Sequence, residues 1–296
     1  MKIPFLLLTG LLLLRGSILS SVLPEVSIAQ AVPPATAEEV IKEVTEEAED
    51  EHEASVPPKK RDIAQVQRAL VSVELRKTER EKYLKKSAPF LPVVDQKDIL
   101  LRHKILANEV LRSFPSACVA QLKNFYVRYD NPSRRGLAGK TTIILSGKVA
   151  DDEFKALLVH EFGHITDLGC MNGTDTHRPS PFKDGAEVIN MDDPSVSFYS
   201  VSWTDSKTKR PGSSEEDFVS GYASWDPFED FAETFAYFVL QKDAFRERAR
   251  ENPVIAAKYR WMQQNAFNNY SPIATGEHEW TGEVPWDVTK LAYSWN

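Results

Sequence analysis

Apolar residues recur at three- and four-residue steps in three parts of the chain, and this spacing predicts amphipathic helices. The first helix contains Ile63, Val66, Leu70 and Val73. The second follows Asp95, a candidate N-cap, and ends at Pro115. The third begins in an acidic turn at Asp151 and ends with Gly169 as its C-cap.

Short runs of β-branched and aromatic residues between the second and third helices predict two strands. The runs are 125–129 and 141–145, and a turn through 131–133 and Gly136 connects them. We expect 141–145 to form the edge of the sheet, where an extended peptide can add as a further strand. Imperfect alternation of apolar residues in 195–203 predicts another strand near the same cleft.

The N-terminus has the pattern of a signal peptide. Lys2 precedes an apolar run over 5–14, and small residues lead to the sequence Ala-Gln-Ala at 29–31. A membrane span needs roughly 20 apolar residues, so the run is too short for one. We therefore expect a signal peptide over 1–31 that is cleaved after Ala31, no stable membrane span afterwards, and a secreted or periplasmic protein.

Residues 32–62 are rich in proline, alanine and acidic side chains and contain no aromatic residue. Nine acidic residues but only one lysine occur from Glu38 to Glu53, whereas the whole chain has a net charge of −7, so the remainder is nearly neutral. Such a segment buries too little apolar surface to order itself, which predicts a disordered acidic linker or pro-segment. The nearly neutral remainder gives no indication of a nucleic-acid partner.

The chain has two cysteines, Cys118 and Cys170. In an exported protein such a pair can form a disulfide, which here would close a loop of about fifty residues and contribute on the order of 3–4 kcal/mol. The alternative is a pair of buried free thiols. We expect the disulfide, which would tie down the end of the third helix.

The candidate chemistry lies in the third helix, in the sequence His-Glu-Phe-Gly-His at 160–164. Residues four apart share one face of a helix, so His160 and His164 present two imidazoles to one point, as tetrahedral zinc requires. Glu161 lies beside the first histidine, where its carboxylate can act as a general base toward water. Uncompensated imidazoles on such an apolar helix would be costly. The pattern therefore favours a Zn²⁺ site over histidines paired with carboxylates on a solvated face.

Catalytic zinc needs a third protein ligand and an open position. Asp167 and Cys170 stand where a metzincin has its glycine and its third histidine, so that class is excluded. The segment 173–175 is one residue too short for a Gly-Thr-x-Asp motif, and a loop histidine such as His177 is more often simply solvent-exposed. Asp167 itself either orients His164 or is a polar residue at the end of the helix.

A further apolar helix, predicted from Pro227 onward, carries the best candidate for the third ligand. Asp226 fits its N-cap and Pro227 its first turn. Glu229 and Glu233 are four residues apart and share a face, beside a broad face of phenylalanines. Carboxylates on such a helix need positive partners, which zinc and its histidines supply. We expect Glu229 to bind the metal and Glu233 to accept an imidazole N–H, the alternative being two surface acids.

Together these residues resemble the gluzincins, and among them the catalytic domain of the anthrax lethal factor family. In that family HExxH is followed by a helix of the form Tyr-x6-Glu-x-Phe-Ala-Glu-x-Phe, which is similar to 222–235 in this chain. The resemblance covers roughly 141–240. It implies the third zinc ligand at Glu229, an outer carboxylate at Glu233, and at Tyr222 a phenol that stabilises the oxyanion of the reaction intermediate.

The remaining polar and aromatic clusters are interpreted as structural. Asn190, Asp192 and Asp193 could bind calcium, but they lack an EF-hand pattern, so a chance cluster is the favoured interpretation. The tail has three tryptophans that we interpret as packing residues: Trp280, Trp286 and Trp295.

The predicted fold is α+β, with a zincin-like metallopeptidase domain over 63–296. It has a small sheet above two zinc-bearing helices, added helices at both ends, and an N-terminal helical extension over 63–122. The predicted function is hydrolysis of a protein or peptide substrate by a zinc metalloendopeptidase. Two alternatives stay open, a catalytically idle zinc-binding or adhesion module and a zinc amidase that acts on cell-wall peptide. Glu161 and Tyr222 favour an enzyme, because a structural site needs neither a base nor an open position.

Overall fold

The computed structural model describes residues 89–130, 134–174, 178–267 and 273–296. Several predicted features lie outside these residues: the signal peptide over 1–31, the acidic segment over 32–62, the helix from Ile63, the turn at 131–133, Asp175 and His177.

Helices contain more of the described residues than strands do. They are α1 Leu101–Arg112, α2 Ser116–Val119, α3 Asp151–His164, α4 Pro194–Ser202, α5 Pro227–Leu240, α6 Lys242–Glu251 and α7 Pro253–Trp261. Short 3₁₀ turns cover Glu215–Asp217, Tyr222–Ser224 and Val288–Lys290, and wide π-helical turns cover Ile165–Cys170 and Met262–Ala266. Within the part of the chain that the structure describes, none of the helices is both long enough and apolar enough to cross a membrane.

Seven short strands form three separate sheets. They are β1 Asn124–Arg128, β2 Gly136–Ala138, β3 Thr142–Ser146, β4 Pro179–Asp184, β5 Glu187–Asn190, β6 Ala274–Gly276 and β7 Tyr293–Trp295. β4 pairs with β5, and β6 with β7, both antiparallel. This mixture of helices and small sheets agrees with the predicted α+β class.

The first sheet has the order β1-β3-β2. β1 runs parallel to β3, and β2 runs antiparallel to it. The prediction that 141–145 forms the edge is therefore wrong, because β3 is the central strand and β2 is an edge. β2 was predicted to be part of a turn, since three residues that begin with Gly136 are too few to show an alternating pattern.

The helices α3 and α5 pack closely against each other. A Cβ atom on Gly163 would lie only 2.9 Å from the Cα of Ala232, so the glycine permits this approach. Phe114 stacks on Phe162 of α3 with ring centroids 4.7 Å apart, and Phe235 of α5 completes the cluster. The apolar contact fixes the two helices so that their polar residues meet on the neighbouring face.

The segment 195–203 is largely helical, so the strand predicted there is wrong. Asp193 caps α4 by accepting a hydrogen bond from the N–H of Ser195, and Pro194 occupies the first turn. The buried apolar residues Val196 and Tyr199 are three apart, as a helix requires. The capping pair Asp193-Pro194 was thus the better signal than the imperfect alternation.

Two predicted helix boundaries also differ from the structure. α1 begins at Leu101, because Asp95 does not cap it and instead forms an ion pair with Lys104 at 2.9 Å. α3 continues past Gly169 as a π-helical turn, so this glycine is not a C-cap. It is required for packing, since a Cβ atom there would collide with the carbonyl oxygen of Lys140.

Cys118 of α2 and Cys170 at the end of the π-helical turn form a disulfide, as predicted. The bond joins residues 52 apart in sequence. It ties the segment directly after α3 to the segment directly before β1. Both segments adjoin the part of the molecule that carries the candidate histidines.

Candidate metal centre

The two candidate histidines lie on one face of α3. Their ring centroids are 5.2 Å apart, and His160 and His164 are 5% and 8% exposed. The burial is a consequence of the apolar sequence of α3 and of its packing against α5. Two imidazoles in such a position need compensating partners, and α5 provides them.

Glu229 is positioned by the start of α5. Asp226 accepts hydrogen bonds from the N–H groups of Phe228 and Glu229, each at 2.9 Å, and so fixes the first turn. The Oε2 atom of Glu229 lies 3.3 Å from Nε2 of His160 and 3.5 Å from Nε2 of His164. This oxygen is buried and has no hydrogen-bond partner among the described residues.

These distances fit a zinc ion. Tetrahedral Zn²⁺ with bonds of about 2.0–2.2 Å to nitrogen and oxygen places its ligand atoms about 3.3–3.6 Å from one another. The contacts of Glu229 Oε2 with the two Nε2 atoms, at 3.3 and 3.5 Å, fall in this range. An oxygen that lacks a hydrogen-bond partner yet faces two imidazole nitrogens is the arrangement that a bound cation would complete.

Glu161 is a rival for the position of third ligand. One ligand atom from each of His160, Glu161 and His164 lies within 4.8 Å of the others. We favour Glu229, because its unpartnered oxygen faces both imidazoles directly. Burial raises the pKa of Glu161, although the two histidines act in the opposite direction. Its neighbour is Gly136 of β2, where a Cβ atom would collide with the carboxylate.

Glu233 lies one turn further along α5 and is fully buried. Its Oε1 atom is 2.8 Å from Nδ1 of His160. Its Oε2 atom accepts hydrogen bonds from the hydroxyl of Ser220 at 2.5 Å and from the N–H of Val288 at 3.0 Å. A carboxylate at Nδ1 keeps a proton on that nitrogen, so Nε2, which faces Glu229, is the nitrogen available to a metal.

The carboxylate of Glu229 and the two imidazoles stabilise one another's charged forms. Burial alone would raise the pKa of Glu229, but the two imidazoles outweigh it and hold that pKa well below its usual range. Burial likewise disfavours charged imidazoles, yet Glu229 and its neighbouring carboxylates raise the pKa of His160 and of His164. Without a metal the carboxylates thus favour protons on the two imidazoles, and a bound metal ion would take the place of the protons on their Nε2 atoms.

Tyr222 lies beside the candidate metal ligands Glu229 and His160. Its hydroxyl donates a hydrogen bond to Oε1 of Glu229 at 3.0 Å, and its ring centroid is 5.9 Å from that of His160. Burial and the nearby Glu229 raise the pKa of Tyr222 far above its usual value, so the hydroxyl stays protonated. The seven-residue interval between Tyr222 and Glu229 therefore brings the two side chains together.

Asp167 lies beyond His164 and is almost fully buried. Its carboxylate accepts the hydroxyl of Tyr199 from α4, with both oxygens at 2.7 Å. Burial raises the pKa of Asp167 to about 7. The structure thus gives this residue a partner that the sequence did not indicate, and its predicted action on His164 stays a prediction.

The carboxylates of Asp192 and Asp193 accept hydrogen bonds from the loop residues Gly173 and Thr174. Asp192 accepts hydrogen bonds from the N–H and the hydroxyl of Thr174, both at 2.9 Å. Asp193 accepts the N–H of Gly173 at 3.2 Å in addition to capping α4. These contacts agree with the structural interpretation of the cluster.

An open cleft of about 640 Å³ lies over the candidate site. Residues 134–138, which include β2, line it together with the histidines and both glutamates of α5. Trp225 and Trp286 also line it, and each is 69% exposed. Trp286 packs against Gly221, as interpreted from the sequence, but most of its side chain is exposed. Its indole lies on the cleft, where it can contact a bound molecule.

Sequence reasoning did not identify Ser220 and Val288 as parts of the site. Both contact Glu233, but Val288 does so through its main chain across 55 residues of sequence. Neither residue belongs to a recognisable motif. The only available signal was indirect, since a buried Glu233 needs hydrogen-bond donors for its second oxygen.

Comparison with known proteins agrees with this geometry. Residues 159–281 match the model of a family described as "Putative zinc-binding metallo-peptidase". No curated protein and no solved structure matches the chain. The matched segment includes the histidines of α3 and the glutamates of α5. It supports Zn²⁺ as the cofactor, a metallopeptidase as the class of enzyme and a peptide as the substrate.

Proposed function

We propose that the chain is an exported zinc endopeptidase of the gluzincin type. The observation that carries this proposal is the unpartnered Oε2 atom of Glu229, which lies against Nε2 of both His160 and His164. In the proposal these three residues hold the metal, and Glu233 orients His160. Bound Zn²⁺ supplies the Lewis acid that polarises a carbonyl and makes water nucleophilic at neutral pH.

Glu161 is the proposed general base. It follows the first histidine directly, lines the cleft, and is buried beneath β2. Its carboxylate takes a proton from the attacking water and then returns it to the leaving amine. The raised pKa of Glu161 suits the first step, because a carboxylate with a higher pKa accepts a proton from water more readily.

Tyr222 is the proposed donor to the oxyanion. Its hydroxyl remains protonated and is bonded to Glu229, so it lies beside the atoms that would hold the metal. A substrate carbonyl oxygen that approaches this position can accept the same proton. The hydrogen bond strengthens as negative charge develops on that oxygen, which lowers the barrier.

The edge strand β2 is the proposed binding strand for the substrate. It is adjacent to Glu161 through Gly136, and Leu137 is exposed. An extended peptide that pairs with this edge would lie across the cleft next to the proposed base. This changes the sequence-based assignment, which gave the role to 141–145.

The resemblance to the anthrax lethal factor family belongs to the same proposal. It is supported by the contacts of Tyr222 with Glu229 and of Glu233 with His160, which follow the spacing of that family's motif. Export to a secreted or periplasmic location is supported by the N-terminal pattern and by the disulfide, since disulfides persist in oxidising compartments.

A substrate panel tests the proposal. The protein is incubated with a peptide library and with cell-wall peptide, with and without a zinc chelator, and the products are identified by mass spectrometry. We expect cleavage at internal peptide bonds that stops with the chelator and returns with added Zn²⁺. The matched variant Glu161→Gln should bind zinc but lose at least about 10²-fold in kcat.

Each other outcome contradicts the proposal in its own way. Bound zinc without turnover of either substrate would make the chain an idle zinc-binding or adhesion module. Cleavage restricted to cell-wall peptide would make it an amidase of the cell wall. An active Glu161→Gln variant would exclude Glu161 as the base.

A further inference from the structure

The segment 285–289, here called the C-terminal strap, lies outside the range 159–281 that matches the family model. It begins at Pro285 and ends within the 3₁₀ turn Val288–Lys290. Although it is far from the histidines in sequence, it lines the same cleft. Its main-chain groups contact the site at three places.

The first contact is with Glu233. One oxygen of this buried carboxylate is occupied by His160, and the other accepts from Ser220 and from the N–H of Val288. A buried carboxylate keeps a fixed orientation only while its oxygens have donors. The N–H of Val288 therefore helps to hold the carboxylate that in turn orients His160.

The other two contacts are with the segment that carries Tyr222. The N–H of Gly221 donates to the carbonyl of Pro285, and the N–H of Tyr222 donates to the carbonyl of Trp286, each at 2.8 Å. Gly221 also lies beneath the indole of Trp286, where a Cβ atom would be 2.5 Å from the ring. The strap thus fixes the main chain at Tyr222.

An ion pair and a hydrogen bond of Asp287 hold the strap in place. Asp287 forms an ion pair with Arg135, the residue directly before β2, and Arg135 also pairs with Glu153 of α3 at 2.7 Å. The carboxylate of Asp287 accepts in addition the N–H of Thr289 at 2.8 Å, which caps the 3₁₀ turn. The strap therefore connects β2, α3 and α5 around the cleft.

We propose that the C-terminal strap is a positioning element of the metal centre. The N–H of Val288 positions Glu233 and through it the imidazole of His160, and the carbonyl of Trp286 positions Tyr222. The first part concerns metal binding and the orientation of one ring. The second part rests on the function proposed above, because it concerns the donor to the oxyanion.

The variant Val288→Pro tests the first part, because it removes only the main-chain donor and some side-chain volume. Proline is compatible with the first residue of a helical turn, and Asp287 before it already has the extended conformation (φ −149°, ψ 120°) that a following proline requires. Val288→Ala is the matched control, since it shortens the buried side chain but keeps the N–H.

The dissociation constant for zinc is measured by competition with a chelator, and the free energy of unfolding is measured without metal. We expect Val288→Pro to weaken zinc binding about 10- to 100-fold relative to Val288→Ala, as for other partners of metal-bound histidines. The ¹⁵N–¹H spectrum of the zinc-bound protein should also show faster exchange of the Nδ1 proton of His160 with water in Val288→Pro than in Val288→Ala. Equal zinc affinity and equal ring spectra in the two variants would overturn the proposal.

A second variant decides the question if Val288→Pro does not fold. Asp287→Asn removes the anchor to Arg135, and its control, Asp243→Asn, breaks an exposed ion pair with Arg246. We expect Asp287→Asn to weaken zinc binding at least about threefold, because it acts one contact further from the metal. Unchanged zinc affinity in this variant would overturn the proposal.

The second part of the proposal, the positioning of Tyr222, is tested by steady-state kinetics. In Asp287→Asn the kcat should fall with little change in KM if the strap positions Tyr222. If the wild-type protein cleaves neither peptide nor cell-wall substrate, the proposed function fails, while the zinc affinities and the ring spectra still decide the first part.

Discussion

Two adjacent acids on α5 have opposite surroundings. Asp230 is fully buried and has a complete set of partners: Nζ of Lys258 at 2.7 and 2.8 Å, the indole N–H of Trp203 at 3.0 Å and the hydroxyl of Thr234 at 3.3 Å. Glu229 has one oxygen bonded to Tyr222, and its other oxygen has no hydrogen-bond partner. One helix therefore carries a saturated carboxylate on one face and an incomplete one on the next.

This difference distinguishes a carboxylate that serves the fold from one that can bind a ligand, without reference to any motif. A buried charge whose partners are complete contributes to folding, and removal of one partner leaves the other charge uncompensated. A buried polar atom that lacks a hydrogen-bond partner requires an explanation, and at Glu229 the two facing imidazole nitrogens indicate a missing cation. This contrast favours a structural role for Asp230 and Lys258, and it supports the proposal that Glu229 and the two histidines bind a metal.

The largest predicted effect comes from Glu229→Ala. It should lower zinc affinity by at least about 10³-fold and abolish activity, because one of three protein ligands is lost. The free energy of unfolding of the zinc-free protein should fall by less than it does when the Asp230–Lys258 pair is broken, because the imidazoles can release their protons once Glu229 is absent. Elemental analysis after dialysis and urea unfolding measure the two quantities.

The matched variant is Glu233→Ala. If Glu233→Ala loses the metal completely and Glu229→Ala keeps it, the roles assigned to the two glutamates are reversed.

Lys258→Met should have the opposite effects, a large loss of stability with zinc binding retained. It leaves the buried Asp230 without its cation, so we expect a loss of about 3–5 kcal/mol in the free energy of unfolding. Zinc bound per folded molecule should stay the same. Urea unfolding followed by circular dichroism measures the loss, and an exposed lysine such as Lys123 provides the control as Lys123→Met.

A double variant tests whether the loss of stability comes from the uncompensated charge of Asp230. Asp230→Leu combined with Lys258→Met removes both charges, and it should recover part of the stability that Lys258→Met alone loses. If Lys258→Met released zinc from folded protein, the separation between the two faces of α5 would be disproved.

Tyr222→Phe should have a smaller effect, confined to turnover. The ring remains, so packing against Trp225 is kept, and only the hydroxyl is lost, which donates to Glu229 and is the proposed donor to the oxyanion. We expect kcat to fall about 10²-fold with zinc content and KM little changed. Steady-state kinetics and elemental analysis measure these values. Wild-type kcat in this variant would leave Tyr222 with a packing role and weaken the resemblance to the lethal factor family.

The sequence predicted the parts of the site that depend on local geometry. The interval of four residues between His160 and His164, or between Glu229 and Glu233, places each pair on one face of a helix whatever the rest of the chain does. Asp226 and Pro227 identified the start of α5 for the same reason. The structure brings these residues together across 73 positions, from His160 to Glu233.

The parts that the sequence could not predict depend on distant main-chain contacts. The N–H of Val288 carries no side-chain signal, and the edge strand β2 is too short for a pattern. At 195–203 a local signal was present, but the aromatic alternation was given more weight than the cap at Asp193. The ion pair of Asp230 was also missed, because Lys258 lies 28 residues away on α7.

The smallest predicted effect concerns Asp167, a third kind of buried acid in this region. It has partners, as Asp230 has, but its hydrogen bond comes from the hydroxyl of Tyr199 and not from a cation. Burial raises the pKa of Asp167 from 3.8 to about 7 in the folded protein, although its hydrogen bonds act in the opposite direction. The folded state binds this proton more tightly than the unfolded state does. The stability that the proton contributes is fully present below about pH 4 and is lost as the pH rises through about 7.

Asp167→Asn isolates this contribution, because the amide keeps an acceptor for Tyr199 and cannot ionise. We expect the variant to be more stable than the wild type by about 1–3 kcal/mol at pH 8, and the difference to decrease steadily toward pH 4. Urea unfolding of zinc-free protein at intervals of pH measures it. Tyr199→Phe is the complementary change, since it removes the donor to the ionised carboxylate and should steepen the loss of stability above pH 5. A stability difference between Asp167→Asn and wild type that is the same at pH 4 and pH 8 would mean that the pKa of Asp167 is the same in the folded and the unfolded protein.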